Sequence, residues 1–426
     1  MKSRARSSRI LLAAMALASL VLVFSVTRDA EAIPAFARQY GRDCQTCHVA
    51  YPKLTPFGEA FRRNGWRHPG GGDADYLRDP PIPLGQEQYA KLFPHTVWPG
   101  RTPAHIPLAV TIAARADYEP HSDAKLSFAN MAGNVGLVAA SSIDDVFSGW
   151  AGVTLRAEGD VVSVEVERVF GVVQPFDDPV MNLRLGRFDP TLWNLSNHRM
   201  LGLTPWMMST PVRDNPFTPL PTQTGFELGG VVGAGRVDYA VGVVEGGGDR
   251  VNTFKDVYAH LGAKLGGLRL DGKDADQVSA QAWRETSVQL GGFGYFGQAA
   301  LGDPALASQE DRFFLVGGEA SATLRDFNLI LAGAYGRNQR PSFAEPNEKA
   351  NTIHLMSQLD VVVYPWLVPT VRLEWRDVAD AGATRASGGA YWLLRANVRA
   401  QLLASVANDG GHLELTQVLA GLNLAL

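Results

Sequence analysis

Residues 106–118 read Ile-Pro-Leu-Ala-Val-Thr-Ile-Ala-Ala-Arg-Ala-Asp-Tyr, and every second position of this stretch is apolar. Thr111, Arg115 and Asp117 occupy intervening positions, so the two faces of an extended chain would differ in polarity. Alternation with a period of two indicates a β-strand that has one apolar and one partly polar face. The fold prediction starts from this strand.

The same alternation recurs along the rest of the chain. It is clear in residues 162–167 and 353–363, and in residues 392–401, which we interpret as one strand. Similar segments lie near residues 147–156, 181–188, 225–232, 237–244, 256–265, 286–296, 312–324, 327–335 and 367–376. Clusters of Gly, Asp and Asn separate them, and several are long enough for a tilted strand to cross a bilayer.

The composition argues against three classes of protein. The chain has 426 residues, of which 44 are Gly and only 19% are charged. A mean hydropathy of −0.05 rules out a membrane protein built from many apolar helices. Low charge and high Gly are also unusual for a soluble enzyme. The net charge of −4 argues against a nucleic-acid partner.

The N-terminus has the pattern of an export signal. Basic residues precede the uninterrupted apolar and small residues 10–26, and Ala30-Glu31-Ala32 matches a cleavage site. We therefore expect residues 1–32 to be a signal peptide and the mature chain to begin at Ile33. The alternative is a retained membrane anchor, for which the apolar run is short.

Three features favour a membrane barrel over a soluble β-sandwich or propeller. They are the export signal, the charged residues on the second face of the strands, and the alternating pattern of the C-terminal residues. The C-terminal residues alternate up to Leu426, as in outer-membrane barrels, although these usually end in an aromatic residue. About 15 strand candidates and the rule of even strand numbers predict 16 strands, with 14 as the alternative. The predicted fold is mainly β, a large antiparallel transmembrane β-barrel over residues 106–426 in the outer membrane.

Both cysteines of the chain lie in the motif Cys44-Gln45-Thr46-Cys47-His48. This spacing is the attachment signature of one covalent haem c: two thiols reach the two vinyl groups, and the histidine becomes the proximal iron ligand. A thioredoxin-like motif would need a βαβ context, a zinc site would need a second ligand pair, and a chance match is the remaining alternative.

A short helix is predicted after the motif. Thr55 is placed to cap it, and Pro56 suits its first position. Phe57 and Phe61 would share an apolar face, and Gly65 would end the helix. We expect the two Phe rings to pack on the haem; the alternative is a surface helix without haem contact.

Residues 33–66, which include the Cys-Gln-Thr-Cys-His motif and Pro52-Lys-Leu-Thr-Pro-Phe-Gly-Glu-Ala-Phe-Arg-Arg-Asn-Gly-Trp66, resemble the cytochrome segment of fused outer-membrane monohaem cytochrome–porins. This family is best known from iron-oxidising bacteria. The specific match covers about 35 residues, and beyond it the resemblance is architectural. It implies electron transfer at the outer membrane, with extracellular Fe(II) as a candidate donor and a periplasmic electron carrier as partner.

The division of the chain follows from these assignments: a monohaem cytochrome segment over residues 33–75, a Pro- and Gly-rich linker over residues 76–105, and the lipid-embedded barrel. About 40 residues cannot build a sufficient core alone. We therefore expect the small helical segment to plug the barrel lumen. The irregular stretch 189–221 carries Trp, His and Met residues and is expected to be functional or to fold into the lumen.

The distal haem ligand is left open by the sequence. Candidates are His68, His95, His105, Met131, Met200, Met207 and Met208. A His/Met pair would raise the reduction potential, which suits Fe(II) as donor.

Three functions are compatible with this reading. The first is an electron carrier that could act as an Fe(II) oxidase. The second is a passive porin with a periplasmic haem appendage for redox or ligand sensing. A haem peroxidase with an open distal site is the third and weakest.

Overall fold

The computed structural model describes residues 35–70, 73–85, 88–95, 100–123, 125–128, 134–158, 161–246, 254–275, 281–301, 309–345, 347–408 and 411–426. The predicted signal peptide and the candidate ligand Met131 lie outside the described residues. The domain boundaries predicted near residues 75 and 105 stay predictions.

Short helices and small strands precede the barrel. The helices are α1 (Ala35–Tyr40), α2 (Cys44–Cys47), α3 (Pro56–Arg63), α4 (Asp73–Tyr76) and α5 (Gln88–Leu92), with α6 (Trp206–Ser209) later in the chain. The small strands are β1 (His48–Ala50), β2 (Lys53–Leu54), β3 (Ile82–Pro83) and β4 (Arg101–Thr102). Strand β1 pairs with β2, and β3 pairs with β4.

The remaining strands follow in chain order. They are β5 (Leu108–Tyr118), β6 (Leu126–Ser127), β7 (Asn134–Ser142), β8 (Phe147–Glu158), β9 (Val161–Val173), β10 (Asn182–Phe188), β11 (Gln223–Val232), β12 (Val237–Val244), β13 (Asp256–Gly266), β14 (Glu285–Leu301), β15 (Gln309–Arg325), β16 (Phe327–Asn338), β17 (Ala350–Val361), β18 (Leu367–Val378), β19 (Ala381–Arg395), β20 (Val398–Asn408) and β21 (Leu413–Ala425).

Within the described ranges, β5 and β7–β21 form a closed barrel of sixteen antiparallel strands. The last strand closes it on the first, with Val418 opposite Tyr118 and Ala425 opposite Thr111. The two-residue strand β6 lies in the connection that leads to β7 and pairs with the last two residues of β5. The prediction of sixteen strands is confirmed, and the alternative of fourteen is wrong.

Two strand assignments differ from the sequence prediction. Residues 392–401 are not one strand, because the chain turns at residues 396–397 between β19 and β20, and Leu393 lies opposite Arg399. The turn is too short to interrupt the alternation, which therefore passes across it. Strand β7 was not predicted, since its run of Gly, Ala and Ser has little contrast between its faces.

The two faces of the wall differ as the alternation predicts. Along β17, His354 and Gln358 point inward and are 4% and 1% exposed, whereas Leu355 between them is 54% exposed. Exposed Val, Leu and Phe residues continue around the outside of the barrel. An apolar outer band around a closed barrel with a polar interior is the architecture of outer-membrane barrels, so the protein is located in the outer membrane.

No helix among the described residues is long and apolar enough to cross a membrane.

The two ends of the barrel have different connections. The connections 189–222, 245–255 and 339–349 leave one end, together with the short turn 379–380. The other end has the short connections 143–146, 233–236 and 396–397 and one long connection, 267–284. Short turns of such barrels are periplasmic and long loops extracellular. The N-terminal segment, residues 35–70, contacts the short-turn end, so it occupies the periplasmic mouth of the lumen. Residues 267–275 also lie at this end, where the Asp271 carbonyl accepts a hydrogen bond from Asn64 of the segment at 3.0 Å.

Candidate functional site

The Cys-Gln-Thr-Cys sequence forms the one-turn helix α2. Its N-cap is Asp43, whose carboxylate accepts a hydrogen bond from the Gln45 N–H at 3.0 Å. Cys44 and Cys47 are three positions apart, which places their thiols on the same side of this turn, and both thiols are free. The helix ends at His48, which is extended and begins β1.

The His48 imidazole is half-buried at the start of β1. Its ring meets Tyr51 edge-on with 5.4 Å between the centroids, and its Nδ1 atom is buried without a hydrogen-bond partner. Burial lowers the pKa of His48 to about 4, the carbonyls of Pro52 and Lys53 oppose this effect, and the Arg399 charge adds to it. The ring is therefore neutral at pH 7, and a neutral imidazole can donate a lone pair to a metal.

The two thiols are protonated at neutral pH. Burial, followed by the Asp43 charge, raises the pKa of Cys44 to about 11. Burial raises the pKa of Cys47 to about 12, with a smaller contribution from Cys44.

Helix α3 packs directly on α2. Thr55 caps it as predicted: its Oγ1 accepts from the Gly58 N–H at 3.1 Å and donates to the Thr46 carbonyl at 2.6 Å. A Cβ atom at Gly58 would collide with the Cys47 carbonyl oxygen, so this close approach requires glycine. The contact fixes the helix beside the motif.

The apolar face of α3 is buried, so α3 is not a surface helix; contact of its Phe rings with a haem stays a prediction. Phe57 and Phe61 form a cluster with Tyr40 that packs against Cys47 and Trp66. The Phe61 ring meets Tyr40 edge-on at 5.6 Å. The cluster therefore provides an apolar surface beside one of the two thiols.

Charged side chains attach the segment to the lumen wall. Arg63 donates to Asn194 at 2.6 Å and forms an ion pair with Asp238 at 3.3 Å. Lys53 donates to Asn328 at 2.6 Å and pairs with the Asp360 carboxylate. Because Asp238, Asn328 and Asp360 lie on β12, β16 and β17, these side chains anchor the segment inside the barrel; Asn194 lies in the connection between β10 and β11.

The polar side of α3 lies in a partly buried charge network. Glu59 pairs with Arg63 at 2.5 Å, with Arg62 at 3.2 Å and with Arg199 at 3.8 Å. Burial raises the pKa of Glu59, but the three guanidinium groups outweigh it and bring the pKa to about 2. The carboxylate is therefore ionised at any physiological pH.

Residues 189–222, which we call the lumen loop, fold into the barrel from the long-loop end. This agrees with the prediction that the stretch folds into the lumen. Arg372 donates to the Leu201 carbonyl at 2.7 Å, and the Trp206 N–H donates to Glu374 at 2.7 Å. The loop therefore meets the wall through its backbone, and it reaches the N-terminal segment at Arg199.

The predicted histidine ligands are dispersed. His68 is buried in the N-terminal segment, where its ring stacks on Tyr76 with 3.5 Å between the centroids and its Nδ1 lies 2.8 Å from the Pro69 carbonyl oxygen. His95 is exposed, and His105 is half-buried. The structure does not bring the three together.

The described methionine candidates lie on the lumen loop. Met200, Met207 and Met208 are buried in the largest apolar cluster of the lumen. Leu201 belongs to the same cluster as Val49 and Ala50, so the loop packs on the strand that begins with His48. The identity of the distal ligand stays a prediction.

The residues that anchor the segment were not identified from the sequence. Asp238 and Asp360 are inward-facing positions of alternating strands, which is the signal that the sequence does offer. Many inward positions share this pattern, and the pattern alone does not show which of them meets Arg63 or Lys53.

No protein-family model and no curated protein matches this chain. Solved porin structures are similar in fold. The anion-selective porin from Comamonas acidovorans is 12% identical, with a TM-score of 0.54 and coverage of 75% of this chain and 98% of the porin. OmpT of Vibrio cholerae is 11% identical, with a TM-score of 0.51 and coverage of 75% and 98%. Salmonella typhi OmpF is 12% identical, with a TM-score of 0.50 and coverage of 75% and 97%. At these identities the similarity establishes that the chain has the fold of a porin barrel.

Proposed function

We propose that this porin-like outer-membrane barrel is an electron-transfer protein that carries one covalent haem c at Cys44, Cys47 and His48. The observation that carries the proposal is this motif itself: two free thiols on one helical turn, followed by a neutral imidazole whose buried Nδ1 has no partner. The resemblance of residues 33–66 to fused cytochrome–porins agrees with it.

A haem in this place would supply a one-electron centre whose potential depends on its axial ligands and its burial. The chain's own residues have separate roles. Cys44 and Cys47 would form the thioethers, and His48 would be the proximal ligand. Phe57 and Phe61 would offer the apolar surface that a porphyrin requires.

The barrel wall supplies part of the apolar core that the short segment cannot build alone. Trp66 lies 5.1 Å from the Trp150 ring and 6.4 Å from Phe170, both of which belong to the wall. Ser148 also donates to the Gly65 carbonyl. These contacts support a plug that relies on the barrel for its core, at the mouth where a periplasmic carrier could approach. Extracellular Fe(II) is the candidate donor on the other side.

The porin fold by itself favours a second candidate, a passive porin with a periplasmic haem appendage. A cavity of about 590 Å³ that extends along the lumen from Tyr51 to the lumen loop is the specific observation in its favour. In this case the barrel would conduct solutes and the haem would not be reduced from outside.

One experiment separates the candidates. Intact cells that express the protein are treated with Fe(II), and the haem spectrum is followed, while purified protein is tested for ion conductance in planar bilayers. Electron transfer predicts rapid appearance of the reduced c-type spectrum. Conductance without reduction of the haem from outside would favour the passive porin, and absence of covalent haem from purified protein would refute both.

A bacterial strain that expresses the Cys44→Ser/Cys47→Ser variant is the matched control. It keeps the barrel and removes both attachment points. A redox titration adds a second criterion: a midpoint potential well below that of the iron couple would exclude Fe(II) as donor and leave electron transfer possible.

A further inference from the structure

Four arginines line the lumen cavity between the N-terminal segment and the lumen loop. They are Arg115, Arg376, Arg385 and Arg399. Among the described residues that line this space, none is Asp or Glu. We propose that this space, the arginine cavity, binds a small oxyanion such as sulfate, phosphate or a carboxylate.

Arg399 carries the proposal. Its side chain is only 8% exposed, and its Nε and Nη1 atoms are buried without hydrogen-bond partners. Its guanidinium lies 5.0 Å from the Tyr391 ring and 5.9 Å from the Tyr51 ring, so aromatic faces rather than acceptors surround it. A buried charge without acceptors is costly, and an oxyanion would supply the missing acceptors.

The carboxylates near the cavity do not neutralise the positive charge of Arg399. Arg385 is paired with Glu374 at 2.6 Å, and Arg115 is paired with Asp117 at 2.9 Å. Both carboxylates are therefore engaged with their own arginines. The positive charge of Arg399 lies in a lumen with low-dielectric walls, which focus its field.

The arginines are spread along the depth of the cavity. Arg376 and Arg385 lie near the ends of β18 and β19 at the long-loop end, where Arg376 donates to Thr210 at 3.0 Å. Arg399 is next to the first residue of β20, at the short-turn end. An anion that enters from outside would thus meet basic residues until it reaches Arg399 beside Tyr51.

Isothermal titration calorimetry of the purified full-length protein with sodium sulfate tests the proposal. Wild-type protein is expected to bind sulfate, and Arg399→Gln is expected to weaken binding about tenfold or more, because a charged hydrogen bond inside the protein is lost. Arg395→Gln is the control: this exposed arginine, at the turn before Arg399, bonds only to the adjacent Leu394 carbonyl among the contacts that the structure shows. It should leave the affinity unchanged.

A second variant keeps the test decisive if Arg399→Gln does not fold. Arg376→Gln lies at the far end of the cavity and is expected to reduce affinity by a smaller factor. Absence of sulfate binding, or equal affinity in wild type, Arg399→Gln and Arg376→Gln, would refute the proposal.

A carboxylate of the protein's own cofactor could also satisfy Arg399. Titration of Cys44→Ser/Cys47→Ser beside the wild type distinguishes these sources. Binding in both proteins supports a free oxyanion, whereas binding in the double variant alone assigns Arg399 to an internal carboxylate and overturns the free-anion site.

Discussion

The N-terminal segment and the lumen loop fill the same barrel from opposite ends, but they are held by different parts of the chain. The segment is anchored by its side chains, such as Arg63 and Lys53, which pair with carboxylates of the wall. The loop is anchored largely by its backbone: Gly202 N–H donates to the Tyr391 hydroxyl at 2.5 Å, and Asn194 N–H donates to Glu319 at 2.5 Å. Residue identity therefore matters more for attachment of the segment than for the loop.

The two regions meet at a charge network, and Leu201 of the loop also shares an apolar cluster with Val49 and Ala50 of the segment. Glu59 of the segment lies 3.8 Å from Arg199 of the loop, and Arg63 bonds to Asn194. A change at this junction should affect both regions, whereas a change on either side of it should affect one. The predictions below use this difference.

The largest effect is expected from removal of both attachment thiols. Cys44→Ser/Cys47→Ser should abolish covalent haem completely and leave the barrel assembled, since neither residue contributes to the strand pairing. The measurement is haem staining after denaturing electrophoresis, with heat-modifiable migration of the barrel as the folding check. Cys44→Ser alone should keep one thioether; haem that survives denaturation in the double variant would contradict the assignment.

Loss of the central anchor should detach the segment. Arg63→Ala leaves Asp238 as a buried charge without its arginine, and such a loss typically costs about 3–5 kcal/mol. We expect faster amide hydrogen exchange throughout α3, measured by mass spectrometry, and a smaller effect on the loop. Arg101→Ala, in exposed β4, is the control. Unchanged exchange in α3 would show that Arg63 is not the anchor.

The barrel could be predicted from the sequence because its period of two is repeated many times. Each strand repeats one physical requirement, an apolar face for lipid and a polar face for the lumen, as in β17. The alternation did not reveal the turn at residues 396–397, because this turn contains no Gly or Pro and the alternation continues across it. It also did not reveal β7, where Gly136 and Ala139 give little contrast in polarity between the two faces.

The site could be predicted only in part. The motif at Cys44 to His48 and the cap at Thr55 are local patterns, so both could be identified from the sequence. The partner of Arg63 and the unpaired Arg399 depend on contacts between residues far apart in the chain, and every lumen-facing position looks alike before the barrel closes. The position of the segment at the short-turn end likewise follows from these distant contacts.

A change in the wall should affect the loop without the segment. Arg372 donates to the carbonyls of Leu201 and Leu203, so Arg372→Gln should cost about 3 kcal/mol, or about 1.5 kcal/mol for each lost bond. Hydrogen exchange should increase in residues 197–206 and stay unchanged in α3. Acceleration of α3 to the same extent would show that the two regions are coupled beyond their junction.

The smallest effect is expected from acid, and it acts at the junction. The pKa of Glu59 is about 2 in the folded protein and 4.5 ordinarily, because Arg62, Arg63 and Arg199 outweigh its burial. A lowered pKa means that the ionised form stabilises the docked state. This contribution is complete above pH 4.5 and is lost as the pH falls toward 2.

Solvent screens a carboxylate that is one-quarter exposed, so we expect about 2 kcal/mol rather than the full value of the shift. Hydrogen exchange of α3, corrected for the intrinsic acid dependence, should show weaker protection below pH 4.5 in the wild type. Glu59→Gln cannot ionise and should lack this component while starting from a less protected state. Parallel pH profiles in the two proteins would show that groups other than Glu59 hold the junction. The side chains that anchor the segment would then be only Arg63 and Lys53, through their contacts with the barrel wall.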